Sequence, residues 1–190
     1  VFAHGSGSSR RSPRNLWVAQ ALHEAQLATL VFDLLSPNEA QRDAIDASLR
    51  FDIPLLGDRL TAAVDQVHGA STTGSLPVGL FGASTGAAAA LVCASQRPEV
   101  VQSVVSRGGR PDLAGEVLGR VHAPTLLLVG ENDQRVMALN QDAARLMAGE
   151  AVVSVVARAT HLFEEPGALE EVADRAARWF ARTLKGAESP

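Results

Sequence analysis

Short apolar runs alternate with longer segments of helical periodicity along nearly the whole of this sequence. That alternation is typical of β–α–β units, in which helices join parallel strands and cover the sheet. The predicted strands are Val1–His4, Leu27–Asp33, Pro77–Phe81, Val100–Ser106, Thr125–Val129 and Ala151–Val156. The predicted helices are Pro13–Gln26, Leu55–His68, Thr85–Gln96, Val136–Ala148 and Pro166–Leu184. The sequence therefore predicts a doubly wound α/β fold with a mainly parallel sheet of about six strands.

Length and hydrophobic content predict a single domain over residues 1–190, because 46% hydrophobic side chains can fill the core of a three-layer fold of this size. The chain opens at Val1, without a methionine, on what is predicted to be the end of a buried strand. We therefore expect that earlier N-terminal strands of the sheet are missing. The connection from Arg107 to Ala123 is too short for a cap domain, which predicts a capless fold. The longer connection Leu34–Pro54 is expected to fold over one edge of a site.

Charge and cysteine content exclude several classes of function. The net charge of −4 arises from interspersed charges without a basic stripe, so nucleic acid is not an expected partner. The single cysteine, Cys93, cannot form an internal disulfide, and no cysteine and histidine spacing matches a metal site, which favours a reducing, cytoplasmic setting. No apolar run approaches the roughly 20 residues that cross a bilayer, so no membrane association is expected. The pattern does not fix an oligomeric state.

The strongest signal for chemistry is the segment Gly82–Gly86, GASTG, which follows a predicted strand and opens an alanine-rich helix. A sharp turn between strand and helix exposes a serine hydroxyl and tolerates only small neighbouring residues. The N-terminus of the helix adds a dipole that favours negative charge. The five-residue pattern alone is common, and its position between a strand and a helix is what predicts Ser84 as a nucleophile.

A serine nucleophile needs a base that accepts its proton and an acid that orients the base. His161 follows the last predicted strand, and Asp133 follows the strand before it. Because the carboxyl ends of parallel strands meet at one edge of a sheet, both side chains are expected near Ser84. The alternatives are that His161 caps the last helix, or that Asp133 is a solvated turn residue and Asp112 supplies the acid.

Acyl transfer also needs hydrogen-bond donors aimed at the developing oxyanion. The backbone N–H of Thr85, at the start of a helix, is the first predicted donor. The glycine-rich loop after the first strand, residues 4–9 (HGSGSS), is expected to supply the second through Ser6, while His4 is interpreted as a structural residue of that loop. The alternative for this loop is a flexible glycine-serine turn.

Two loops that follow strands carry arginines, and both should face the mouth of a cleft. Arg107 and Arg110 flank two glycines after the fourth predicted strand, and they are assigned to substrate binding because guanidinium groups hold carboxylates or phosphates. Arg10 and Arg14 follow the first loop. The alternative for each of these arginines is an ion pair with a nearby acid.

The order of the serine, the acid and the histidine, together with the His-Gly loop, resembles the α/β-hydrolase superfamily, and more narrowly its dienelactone-hydrolase-like branch. The resemblance runs from Val1–Gly7 through Phe81–Gly86 to Ala159–Phe163. It implies a cofactor-free and metal-free esterase or lactonase that acts on a small-molecule ester through an acyl-enzyme. Members of this kind also occur fused to a phosphoribosyltransferase domain. Dienelactone hydrolase itself has a cysteine nucleophile, so its substrate does not carry over to a chain with Ser84.

Two other functions remain open at this point. An acyltransferase with the same triad would differ from a hydrolase only in the acceptor, an alcohol or amine instead of water. A binding protein that has kept the hydrolase fold but lost turnover is the alternative from another class, and the complete set of Ser84, Asp133 and His161 argues against it. The absence of a cap predicts a shallow cleft that accepts short acyl esters.

Overall fold

The computed structural model describes residues 1–184, so residues 185–190 of the predicted domain lie outside the described part of the chain. Within it, the strands are β1 (Phe2–Ala3), β2 (Val78–Ala83), β3 (Val101–Arg107), β4 (Thr125–Gly130) and β5 (Ala151–Val156). The α-helices are α1 (Pro13–Glu24), α2 (Pro37–Asp46), α3 (Ile53–Gly69), α4 (Thr85–Gln96), α5 (Gln134–Leu146) and α6 (Ala168–Thr183). A 3₁₀ segment, Pro111–Arg120, connects β3 to β4.

All five strands are parallel, and their order across the sheet follows their order along the chain, from β1 to β5. Val31 forms an isolated bridge with Phe2 on the outer side of β1, so the chain first moves outward and then reverses direction to reach β2. This reversal places helices on both faces of the sheet, because parallel crossovers keep one hand. The fold is a doubly wound α/β fold, as the sequence predicts.

The sheet is buried on both faces, which explains why its strands are almost continuously apolar. Phe81 and Val105 pack toward α1 and α6, in a core that includes Val18 and Val172. The opposite side chains of the same strands pack toward α3, α4 and α5. The carboxyl ends of the strands are thereby held at one edge between two helical layers.

One of the six predicted strands, Leu27–Asp33, does not form within residues 1–184. This segment has one bridge, Phe2 to Val31, and the N–H of Phe2 donates to the carbonyl of Leu30 at 2.9 Å. The physical reason is the length of its partner, because β1 spans only Phe2–Ala3 and offers too few backbone groups for a ladder. Five strands, rather than about six, make up the sheet of the described residues.

The helix α2 falls inside the connection Leu34–Pro54 and was not predicted. Ser36 accepts a hydrogen bond from the N–H of Glu39, whose carboxylate accepts one from the N–H of Ser36, in a capping box. Its one buried residue is Asp43, so α2 lacks the apolar stripe from which helices were predicted. The signal that identifies it is the capping sequence, not hydrophobic periodicity.

No helix within residues 1–184 is long and apolar enough to span a bilayer.

Candidate active site

Ser84 lies in the turn between β2 and α4 with φ 51° and ψ −120°, a backbone conformation that is strained for a residue with a side chain. The N–H of Ser84 donates to the carbonyl of Arg107 at 3.2 Å, and its own carbonyl accepts from the N–H of Arg110 at 3.1 Å. These bonds fix the turn to the end of β3. A Cβ on Gly86 would overlap the carbonyl oxygen of Ala3, so the turn also depends on a residue without a side chain.

His161 and Asp133 are brought into direct contact. Nδ1 of His161 lies 2.7 Å from Oδ2 of Asp133, and the carboxylate is the acceptor, which leaves Nε2 free to act as a base. The Asp133 side chain is 16% exposed and that of His161 is 39% exposed, so the imidazole is open to a ligand while the acid is mostly covered.

The loops that carry the acid and the histidine are joined to each other. The N–H of Asn132 donates to the carbonyl of Ala159 at 2.9 Å, and its side-chain amide donates to the carbonyl of Arg158 at 2.8 Å. The carboxylate of Glu131 accepts from the N–H of Arg158 at 2.7 Å. These bonds hold the two loops in register and thereby maintain the contact between Asp133 and His161.

Ser84 and His161 lie against the same turn, residues 107–110. The turn binds both backbone groups of Ser84, and a Cβ built on Gly108 would lie 3.5 Å from Cε1 of His161. Among residues 1–184, no hydrogen bond to the Ser84 hydroxyl is formed. Contacts of this kind are commonly loose without a substrate and tighten in the reacting complex. The structure thus brings the three predicted catalytic residues to one edge of the sheet. Ser84 and His161 both lie next to the turn at residues 107–110.

The two predicted oxyanion donors, Ser6 and Thr85, line one cavity. We call the turn between β2 and α4 at Ser84 the elbow. Gly5, next to Ser6, lies so close to the elbow that a Cβ on it would be 3.1 Å from Cβ of Ser84. The loop is not a free turn. Nε2 of His4 accepts from the N–H of Leu34 at 3.0 Å and Nδ1 contacts the carbonyl of Gly5 at 3.0 Å, so His4 has the expected structural position.

The alternatives for the acid and the base can now be compared with the contacts. The N-cap of α6 is Gly167, so His161 does not cap that helix. Asp112 binds the guanidinium of Arg110 at 2.7 and 2.8 Å rather than the imidazole. Asp133 also caps α5, because its Oδ1 accepts from the N–H of Val136 at 3.4 Å, a second task that the sequence did not indicate.

The ion-pair alternative holds for three of the four arginines near the site. Arg10 pairs with Asp33, Arg14 pairs with Glu164 at 2.7 Å, and Arg110 pairs with Asp112. The hydrogen bonds that Arg110 donates to Asp112 raise the pKa of Arg110 above its usual value. These three side chains are therefore already neutralised.

Arg107 differs from the other three arginines and from its predicted place in an open loop. It is the last residue of β3 and is 8% exposed, and its Nη1 has no hydrogen-bond partner within the described residues. Burial, together with the like charge of Arg14, lowers the pKa of Arg107 to about 10. Its assignment to substrate binding, and that of Arg110, remain predictions.

A cavity of about 910 Å³ lies between the loop after β1 and α2. It lies where the chain reverses direction across the sheet, the position at which doubly wound folds bind their ligands. Residues of α2, within the connection Leu34–Pro54, form one wall of this cavity. In residues 1–184 no cluster of three His, Cys, Asp or Glu side chains is arranged to hold a metal ion.

Comparison with known sequences finds one matching family and two similar proteins among those described below. The model of the dienelactone hydrolase family matches residues 21–186. Two proteins from Mycobacterium tuberculosis, strains CDC 1551 and H37Rv, each named "Putative phosphoribosyl transferase", are 55% identical to this chain over 186 residues. The match covers 98% of this chain but 41% of each relative, so the chain spans less than half the length of these curated proteins.

Comparison with solved structures agrees with the family match. The crystal structure of dienelactone hydrolase from Anabaena variabilis superposes with a TM-score of 0.95 at 54% identity, covering 97% of this chain and 85% of that one. Est1E from Butyrivibrio proteoclasticus superposes with a TM-score of 0.77 at 13% identity, covering 95% and 86%. At that identity the second likeness concerns the fold alone.

Proposed function

Because this chain belongs to the dienelactone hydrolase family, we propose that it is a serine hydrolase that cleaves a carboxylic ester, thioester or lactone through an acyl-enzyme on Ser84. The observation that carries the proposal is the hydrogen bond between His161 and Asp133, which lies at the same edge of the sheet as the strained Ser84 turn. A binding protein has no need of an acid that orients an imidazole at the same edge of the sheet as a half-buried serine.

In the proposed first step, Oγ of Ser84 attacks the carbonyl carbon while Nε2 of His161 takes the hydroxyl proton. The carboxylate of Asp133 stabilises the imidazolium that forms. The N–H groups of Thr85 and Ser6 donate to the oxyanion of the tetrahedral intermediate. The bond to the leaving oxygen or sulfur then breaks, and the leaving group receives the proton from His161.

In the second step, water replaces the leaving group. His161 takes a proton from water, the hydroxide oxygen bonds to the acyl carbon, and the bond to Oγ of Ser84 breaks as that oxygen regains its proton. Ser84 and His161 thereby regain the protonation states with which they began, and the charge of the protein is unchanged over the cycle. An acyltransferase would follow the same steps with an alcohol or an amine in place of water.

The name of the mycobacterial relatives does not describe this chemistry. We propose that the hydrolase resides in the part of those proteins that this chain matches, and that the transferase activity in their name belongs to the rest of their length. The family resemblance, which includes fusions to phosphoribosyltransferase domains, supports this division.

The test is Ser84→Ala assayed on p-nitrophenyl esters of rising chain length. We expect kcat to fall by at least about 1,000-fold, with an unchanged circular dichroism spectrum and no labelling by a fluorophosphonate probe. Ser95→Ala is the matched control, since that hydroxyl lies at the far end of α4 and donates to the carbonyl of Val92. Near-native turnover in Ser84→Ala would rule the proposal out, and competition by added alcohol would assign the chain to acyl transfer.

A further inference from the structure

The cavity beside the elbow is not lined by Ser84, Asp133 or His161, but Thr85, the residue after Ser84, lines it. Polar residues outnumber apolar ones in its lining, whereas ligand pockets are usually lined mostly by apolar side chains. Hydroxyl side chains contribute five of its lining residues: Ser6, Ser8, Ser9, Ser36 and Thr85. Three arginines also line it, namely Arg10, Arg11 and Arg50. Of these, Arg10 pairs with Asp33 and Arg50 pairs with Asp43. A hydrocarbon chain would displace water from these groups without replacing their hydrogen bonds. A ligand that carries hydroxyl groups on a carbon chain can pair with them and also contact the apolar part of the lining, which consists of Leu34, Leu35, Pro37, Ala40, Ala44 and Leu56.

Thr85 marks the inner end of the cavity. Its side chain is 2% exposed and its Oγ1 has no hydrogen-bond partner within residues 1–184, although the residue lines the cavity. A buried hydroxyl without a partner is destabilising unless a ligand or water supplies one. Covalent geometry places Oγ1 of a threonine close to its own backbone nitrogen, and the N–H of Thr85 is a proposed oxyanion donor. A polar group that pairs with Oγ1 therefore lies near an oxyanion that is bound at the N–H of Thr85.

The outer part of the cavity offers both donors and acceptors. The hydroxyls of Ser6 and Ser8 lie on the exposed loop and have no partner among the described residues. Asp33 binds Arg10 through both carboxylate oxygens, yet its side chain is 28% exposed and keeps free lone pairs. A ligand with several hydroxyl groups can donate to such a carboxylate and accept from the serines.

We propose that the cavity binds a polyhydroxylated acyl group, as in a sugar lactone or the ester of a sugar acid. This inference rests on the proposed function, because it assigns the substrate class of the same site. One substrate hydroxyl near the carbonyl pairs with Oγ1 of Thr85. The remaining hydroxyls pair with the serines and with Asp33.

The test compares lactones of matched ring size with and without hydroxyl groups, glucono-1,5-lactone against δ-valerolactone. Hydrolysis is followed by acid release, with Ser84→Ala protein as the correction for spontaneous opening. We expect kcat/KM to be at least about 10-fold higher for the hydroxylated lactone, mainly through a lower KM, since several neutral hydrogen bonds distinguish the two.

Substitution of Thr85 tests its part in the preference. We expect Thr85→Val to lower the ratio of the two kcat/KM values by about 3- to 10-fold, and Thr85→Ser, which keeps a hydroxyl, to restore most of it. Thr61→Val is the control, because Thr61 is also buried on a helix but donates to Gln96. A preference for the plain lactone, or a ratio that Thr85→Val leaves unchanged, would overturn the inference while leaving the hydrolase intact.

Binding measurements separate the inference from the proposed function. If neither lactone nor any ester is hydrolysed, the hydrolase proposal fails, and calorimetry with gluconate and hexanoate still tests the cavity. We expect gluconate to bind at least about 10-fold more tightly than hexanoate, and this difference to shrink in Thr85→Val. Equal or tighter binding of hexanoate would show that the cavity is a site for alkyl chains.

Discussion

At the scale of single residues, the two oxygens of Asp133 perform different tasks, since Oδ2 binds His161 and Oδ1 caps α5. Asparagine keeps an acceptor for the cap but favours the wrong tautomer of the imidazole. We therefore expect Asp133→Asn to lower kcat by about 100- to 10,000-fold with a small change in melting temperature. Ester hydrolysis and thermal unfolding measured on the same protein check both parts.

Asp112→Asn is the matched control for the acid. Its carboxylate is bound by Arg110, and among the described residues the carboxylate that binds the imidazole of His161 is that of Asp133, so we expect kcat to change by less than about 3-fold. The opposite ranking of the two variants would move the acid to the segment after β3.

Within residues 1–184 Arg107 is a buried cation that forms no ion pair with a carboxylate, and this makes its substitution informative. Removal of such a charge by an apolar side chain of similar length is often neutral or stabilising, so we expect Arg107→Met to melt at the same temperature or higher. If Arg107 binds a substrate anion, the ratio of kcat/KM for anionic over neutral esters should fall by about 10- to 150-fold. Arg145→Ala, on the exposed face of α5, is the control for loss of charge.

At the scale of elements, the close approach of α4 to the loop after β1 depends on Gly86. A Cβ there would collide with the carbonyls of Ala3 and His4, which are backbone atoms that cannot move independently. We expect Gly86→Ala to lower the free energy of unfolding by about 3 kcal/mol, measured by urea denaturation. Gly69→Ala, where nothing lies within 4 Å, should leave stability unchanged or raise it by up to about 1 kcal/mol. Equal effects would remove steric contact as the reason for this glycine.

Helix α4 also buries Cys93, and desolvation raises the pKa of the Cys93 thiol to about 11. Below pH 11 the thiol is mostly protonated and therefore a poor nucleophile. We expect a small disulfide reagent to label the native protein slowly and the unfolded protein completely. Rapid labelling with loss of activity, prevented in Cys93→Ala, would contradict this placement.

Helix α2 was not predicted because it lacks an apolar face. Helix α2 is polar, and its stability comes from its capping box and from Asp43, which accepts from Leu49, Arg50 and the Arg50 guanidinium. Hydrophobic periodicity reveals elements that bury an apolar face, as α1, α3 and α4 do, and does not reveal an element held by hydrogen bonds. The connection Leu34–Pro54 was expected to fold over one edge of a site, and it lines the cavity, but the helix α2 within it was not predicted.

At the scale of the whole molecule, the prediction of one domain is tested by cooperativity. Both tryptophans, Trp17 and Trp179, lie on α1 and α6, whereas Cys93 lies on α4 in the other helical layer. We expect tryptophan fluorescence and Cys93 accessibility to change at the same denaturant concentration, because a single domain unfolds in one transition. Two separate midpoints would divide the chain into independent units.

The positions of the three candidate catalytic residues in the fold were easier to predict from the sequence than the contacts around them. Ser84, Asp133 and His161 were placed by a rule of topology, since each follows a parallel strand and such ends share an edge. The pairing of Arg110 with Asp112 and the burial of Arg107 depend on side-chain conformations that no periodicity encodes. The single bridge at Val31 depends on the shortness of β1, a boundary that pattern alone does not define.

The order of the strands has a consequence for the protein during its synthesis. Each strand pairs with the next one along the chain, so the sheet can grow from β1 toward β5 as residues leave the ribosome. The turn at Ser84 is made early, whereas Asp133 follows β4 and His161 follows β5. In the proposed mechanism a nascent chain therefore presents Ser84 without its partners, and it should not turn over an ester until translation has passed His161.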